Sequence, residues 1–120
     1  NEMSQALDDN YFLALASDQN AGKNGTLNKF FNKTTSTPKG AAIFHLKKSR
    51  PIIILFIIMN QNYTYSINSK ILEIQFHEEK NEEKINLINQ NYNIELEKIV
   101  EQYPSQYFWF HRKWDKKYYK

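Results

Sequence analysis

The sequence predicts an α/β domain: a βαβ unit, further strands, and one long amphipathic helix. Three observations carry that prediction. Two short runs are continuously apolar, Tyr11 to Ala16 and Ile52 to Met59, as suits strands covered on both faces. A helix start lies between them at Thr37-Pro38, so strand, helix and strand follow within one parallel, right-handed unit. Residues 78–101 then place Ile85, Ile88, Tyr92, Leu96, Ile99 and Tyr103 at steps of three or four, the stripe of a helix with one buried face.

Element by element, residues 2–9 read as a helix that Asn10 stops, asparagine being tolerant of the left-handed turn that ends helices. The first apolar run gives way abruptly to Ser17-Asp18-Gln19-Asn20. Residues 20–37 hold Gly22, Gly25, several Asn and Thr, and the pair Phe30-Phe31; they read as one long loop. Thr37 and Pro38 fit an N-cap and first helical position. Lys47, Lys48 and Arg50 follow where cations suit the helix dipole, and Pro51 blocks continuation. Asn60-Gln61-Asn62 suggests a turn, with alternating strands at 63–67 and 71–76. Glu78, Glu79, Glu82 and Glu83 crowd the start of the long helix and Pro104 ends it. Residues 104–120 form an aromatic and basic tail.

Composition narrows the classes. With 41% hydrophobic and 24% charged residues in 120, the chain is globular rather than disordered. It has no cysteine, which excludes disulfides, Cys-based zinc sites and thiol nucleophiles. No apolar run approaches the roughly 20 residues of a membrane-spanning helix. The net charge of +3 is uneven: Arg112, Lys113, Lys116, Lys117 and Lys120 against Asp115 give the last ten residues +4. Such a tail suits an anionic partner. The chain opens on Asn1 with a helical pattern already under way, as a fragment or processed chain would.

Several residues are candidates for chemistry. Asp18 and Gln19 sit where the first strand ends, and ligands of parallel sheets bind beyond that end; a carboxylate there could orient a hydroxyl or support a base. Lys23, between Gly22 and Gly25, could approach a phosphate, although no P-loop pattern is present. Lys39 and Gly40 open a helix whose free N–H groups could hold an anion. His77 and Glu82 have an HxxxxE spacing, but with 13 acidic residues such a partner arises readily by chance. His45 reads as a packed or surface histidine. Tyr107, Trp109 and Trp114, flanked by cations, suit a membrane interface; basic and aromatic interleaving also suits single-stranded nucleic acid, and the plainer alternative is that the aromatics close the core while the lysines solvate the end.

In order, Leu15-Ala16-Ser17-Asp18-Gln19-Asn20-Ala21-Gly22-Lys23, Phe30-Phe31, Ser36-Thr37-Pro38-Lys39-Gly40-Ala41-Ala42, Arg50-Pro51-Ile52-Ile53 and Tyr103 through Arg112 resemble one family, the bacterial lipid A biosynthesis (lauroyl/myristoyl) acyltransferases. Asn32 departs from the glycine that usually follows Phe-Phe there. The resemblance implies the C-terminal part of a glycerolipid-acyltransferase-like fold, a single partial domain at the cytoplasmic face of the inner membrane. It implies transfer of a fatty acyl chain from acyl carrier protein or coenzyme A to a hydroxyl of a lipid A precursor. It implies no metal or cofactor and no nucleic-acid partner. The family's catalytic His-x4-Asp/Glu would lie upstream, leaving this chain inactive alone, with Asp18, Gln19, Lys23, Lys39, Gly40 and Arg112 facing substrate. The competing expectation is a non-catalytic, basic-tailed module that binds RNA or an anionic membrane surface.

Overall fold

The computed structural model describes residues 2–119. In chain order the elements are α1 (Glu2–Asp8), β1 (Thr26–Phe30), β2 (Lys33–Thr37), α2 (Gly40–Lys48), β3 (Ile53–Met59), β4 (Tyr65–Ile71) and α3 (Asn81–Gln102), with short 3-10 turns at Gly22–Asn24, Pro104–Gln106 and Lys116–Tyr118. The mixed α/β class is as the sequence indicates. Its sheets are two separate antiparallel hairpins, β1–β2 and β3–β4. No helix among the described residues is long and apolar enough to cross a membrane.

The parallel unit does not form. Residues 11–17 carry no strand, and Phe12 is 93% exposed. A strand needs a ladder partner, and the one strand β3 pairs with is β4. The segment is instead anchored at its start. Asn10 turns the chain out of α1 at φ 62°, and the Arg50 guanidinium donates to Leu7 O (3.1 Å) and Asn10 Oδ1 (2.9 Å).

The expected loop at 20–37 is largely the β1–β2 hairpin, in register from Thr26↔Thr37 to Phe30↔Lys33. Its two-residue turn places Phe31 at φ 48° and Asn32 at φ 58°, the positive pair that a type I′ turn requires. Asn32 is the residue besides glycine that adopts this region at least cost. At Gly25 a Cβ would collide with Ser36 Oγ and lie 2.6 Å from Thr37 O; the backbone there passes too close to β2 for any side chain.

Thr37 closes β2 rather than capping α2, which begins two residues beyond Pro38. Its hydroxyl is spoken for: Thr37 Oγ1 accepts from Asn93 Nδ2 at 3.0 Å. Ser49 takes a left-handed conformation at φ 52° and ends α2 ahead of Pro51. β3 and β4 pair from Ile53↔Ile71 to Met59↔Tyr65, so the two strands expected at 63–67 and 71–76 are one. β3 is also not covered on both faces: Ile54 and Ile58 are buried, whereas Ile53, Leu55, Ile57 and Met59 are exposed. α3 is three residues shorter at its start than the acidic run suggested. There the Glu83 carboxylate accepts the Lys80 N–H at 3.0 Å, satisfying a donor of the first turn.

α3 organises the core. Its Ile88 joins Ala42, Ile54 and Leu72 in one apolar cluster, and its Leu96 and Val100 join Phe30 in a second. Tyr92 and Phe56 pack against both. A polar stripe runs along another face of the same helix. Gln90 Oε1 accepts from Lys29 N (2.8 Å) and its Nε2 donates to Lys29 O (3.2 Å); Asn93 Nδ2 also donates to Lys29 O (3.0 Å). Asn86 Nδ2 donates to Leu27 O (3.1 Å), and Glu97 Oε1 accepts from Phe31 N (2.7 Å). Side-chain amides thus occupy the edge of β1 that a neighbouring strand would otherwise fill.

Candidate functional site

The Ser17-Asp18-Gln19-Asn20 segment is held by the C-terminal tail. The Asp18 carbonyl accepts from both Tyr107 Oη (3.1 Å) and Lys113 Nζ (2.6 Å). The Asn20 N–H donates to His111 Nε2 at 2.9 Å, and Asn20 Nδ2 donates to Lys113 O at 2.8 Å. Since His111 Nε2 accepts, the ring's proton sits on Nδ1. The carbonyl of Lys113 also takes the buried Thr35 hydroxyl at 2.5 Å. Three tail residues, Tyr107, His111 and Lys113, therefore fix one short stretch of backbone, and Thr35 holds Lys113 in turn.

Rings support the clamp. Phe30, fully buried, meets Tyr107 at 5.9 Å and Trp114 at 6.0 Å between centroids. Trp114 Nε1 donates to Phe30 O at 2.7 Å, so its polar atom is satisfied within the packing. Lys113 is buried with its Nζ 5.1 Å from the Phe30 ring. Burial pushes its ammonium down to about 8, and the Asp18 charge partly opposes that fall. Burial, and secondarily the Asp18 carboxylate, push the Tyr92 and Tyr107 phenols well above the usual tyrosine range.

In front of the clamp lies an open groove of about 1390 Å³. Its walls are mostly apolar: Leu13 and Leu15 from the 11–18 segment, Phe44 from α2, Ile54 and Phe56 from β3, Tyr92 and Leu96 from α3. Asp18 and Tyr107 stand on its lining. A half-buried carboxylate beside an apolar groove can hold a polar head while a hydrocarbon body lies along the walls.

The other sequence candidates are spread over the surface. Gln19 and Lys23 are exposed, Lys23 within the 3-10 turn. Lys39 stands at the start of α2 without a side-chain cap. Gly40 leaves ordinary room, since a Cβ there would meet Leu15 Cδ1 at 3.5 Å. Arg112 is exposed, 6.0 Å from the Tyr119 ring. Of the aromatics, Tyr107 and Trp114 turn inward on Phe30, and Trp109 donates its Nε1–H to Pro104 O at 2.6 Å. Phe108 and Phe110 are the most exposed rings of this stretch, and Trp109 is also exposed. His45 Nδ1 lies 2.7 Å from Arg50 O, a local bond, and His77 is exposed at the approach to α3.

The family model for bacterial lipid A biosynthesis acyltransferases matches residues 1–116. The chain belongs to that family. A search of curated proteins gives no match. The residues that sequence reasoning missed are His111, Lys113, Tyr92 and Asn20. His111 lies inside the terminal element, Tyr103 through Arg112, that carried the resemblance, and Lys113 directly follows it in the basic tail, where it reads as a charge for an anionic partner. Their separation of two residues, which brings both to the backbone of residues 18–20, was the available signal.

Proposed function

We propose that this chain supplies part of the acceptor site of a lipid A acyltransferase, with Asp18 orienting the hydroxyl that is acylated. The single observation behind this reading is Asp18, its backbone fixed by Tyr107 and Lys113, on the lining of the apolar groove. The donor is a fatty acyl thioester of acyl carrier protein or coenzyme A. A histidine of the family's His-x4-Asp/Glu element, outside residues 1–120, takes the proton of the sugar hydroxyl. The alkoxide attacks the thioester carbonyl, the C–S bond breaks, and the thiolate leaves with that proton. The acyl chain lies along the groove walls from Leu13 to Leu96, and the work is done at the cytoplasmic face of the inner membrane. Gln19, Lys23, Lys39, Gly40 and Arg112 are surface positions where lipid phosphates or the carrier arm would be met.

The test is Asp18→Asn in the acyltransferase that carries this segment. The change is isosteric and leaves the carbonyl clamp in place. Loss of an orienting carboxylate lowers kcat by about 100-fold or more with little change in stability. Unaltered turnover removes Asp18 from the site.

A further inference from the structure

We propose that the turn end of the β1–β2 hairpin, together with residues 112–119, is a docking surface for the headgroups of anionic phospholipids. Cations and rings alternate across it. Lys33 Nζ lies 5.1 Å from the Trp114 ring and 5.8 Å from the Tyr118 ring. Lys117 Nζ lies 5.2 Å from Tyr118. Lys29 Nζ donates to Thr34 Oγ1 at 3.2 Å, and the Thr34 N–H donates to Tyr118 Oη at 3.4 Å. Three ammonium groups therefore gather about one phenol.

Among the described residues these charges have no acidic partner. The ion pairs among the described residues join Lys48 to Asp8 and Lys70 and Lys98 to Glu95. The acid nearest in sequence, Asp115, is turned to the Lys117 N–H at 3.0 Å. The Tyr118 phenol reports the result: its bond from Thr34, and secondarily the Lys117 and Lys29 charges, hold it below the usual tyrosine range. An aromatic face attracts an ammonium but takes up none of its hydrogen-bond donors as an oxygen would. The N–H groups of Lys33 and Lys117 thus remain available to phosphate oxygens.

Phospholipid fits this surface better than nucleic acid does. Single-stranded RNA stacks its bases on open ring faces, and here the Trp114 and Tyr118 rings are already covered by lysine. The preceding loop also leaves Phe108 and Phe110 exposed, 58% and 92%, apolar rings of the kind that enter a bilayer interface. The inference rests on the proposed lipid substrate only in setting the protein beside a bilayer. Vesicle binding needs no turnover, so each reading fails by its own assay.

The experiment is flotation of the 120-residue chain with vesicles of phosphatidylcholine alone and with phosphatidylglycerol added. Binding is expected to the anionic vesicles only, and to fall with salt. Each lysine near an anionic surface is worth about fivefold in partition, so Lys29→Gln/Lys33→Gln/Lys117→Gln lowers it about a hundredfold. The triple arginine variant restores binding, and Lys47→Gln, outside the patch, leaves it unchanged. Equal binding to neutral vesicles overturns the proposal, as does an unaffected triple glutamine variant. Displacement by inorganic phosphate at millimolar concentration assigns a discrete anion pocket instead and overturns it. So does a single-stranded RNA oligonucleotide that displaces the vesicles through the same lysines.

Discussion

The β1–β2 hairpin is written Thr-Leu-Asn-Lys-Phe and Lys-Thr-Thr-Ser-Thr, and much of it is buried; the β3–β4 hairpin is written Ile-Ile-Leu-Phe-Ile-Ile-Met and Tyr-Ser-Ile-Asn-Ser-Lys-Ile, and much of it lies open. Composition alone predicts the reverse. In the polar hairpin Asn28, Thr35, Ser36 and Thr37 are buried beside Phe30, because both edges are occupied. α3 amides bond the β1 edge. The tail bonds the β2 edge through the Thr35↔Trp114 bridge and the Asp115 N–H to Thr34 O at 3.0 Å. In the apolar hairpin, Met59 bonds Gln106 rather than β4, N–H to Oε1 at 2.8 Å and O from Nε2 at 2.9 Å. Antiparallel alternation then turns the backbone groups of Ile53, Leu55 and Ile57 toward the same outer edge. Burial follows the neighbour, and hydrogen-bonding neighbours bury polar strands as completely as apolar ones bury aliphatic strands.

Four substitutions test that contrast. The largest effect is expected at Phe30, fully buried in the polar hairpin with Phe31 at 4.7 Å, Tyr107 and Trp114 around it. Phe30→Ala is expected to cost about 3–5 kcal/mol in urea unfolding. A cost below that of an ordinary surface change would mean that the tail does not pack on this hairpin.

The second effect is a pH dependence. Burial lowers Lys113 to about 8 in the fold, against 10.5 for an ordinary lysine. Below 8 both states carry the charge and the fold bears the burial penalty. Between 8 and 10.5 the unfolded chain binds the extra proton, so stability rises with pH, by on the order of 3 kcal/mol if the window is completed. The Tyr92 and Tyr107 phenols act oppositely. Their raised values mean that above 10 the unfolded tyrosines ionise first and stability falls again. The urea midpoint is therefore expected to climb from about pH 8 toward 10 and then decline. Lys113→Met removes the climb and keeps the decline. A wild-type profile flat across that window places Lys113 in solvent.

The third is Asn93, completely buried, whose Nδ2 reaches Lys29 O and Thr37 Oγ1 at 3.0 Å each. Asn93→Ala leaves both acceptors short of a donor and is expected to cost about 1–3 kcal/mol. Hydrogen exchange of the Lys29 and Phe30 amides is expected to quicken with it.

What the sequence made legible was local. The α3 stripe, the stop at Ser49-Arg50-Pro51 and the β-branched run of β3 each follow from residues within a few positions of one another. The β1–β2 hairpin was not legible because its partners are side chains about sixty residues away, such as Asn28 to Asn86 and Lys29 to Gln90. Asn86, Asn89 and Asn93 recur at helical spacing, but spacing alone names no partner for them. The strand expected at 11–16 illustrates the converse. Its pattern is right for a covered strand, yet a pattern supplies no ladder. At the candidate site, Asp18 was legible by its place after an apolar run. The clamp that holds it was hidden because Lys113 in a basic tail looks like surface charge, and only the fold reveals that it points inward.

The smallest effect is expected on the open face, where the contrast is sharpest. Leu55 and Ile57 are 61% and 66% exposed, and their cross-strand partners Ser69 and Ile67 share that face. Leu55→Ser removes apolar surface that is already largely in water, so the change in unfolding free energy is expected to stay within about 0.5 kcal/mol. The same substitution at the buried Ile54 costs several times more. Contiguous exposed apolar surface of this kind drives association, so Leu55→Ser is also expected to shift the concentration dependence of light scattering toward monomer. If Leu55→Ser instead unfolds the chain as Phe30→Ala does, the β3–β4 face is covered in solution, and the contrast between the hairpins belongs to their composition alone.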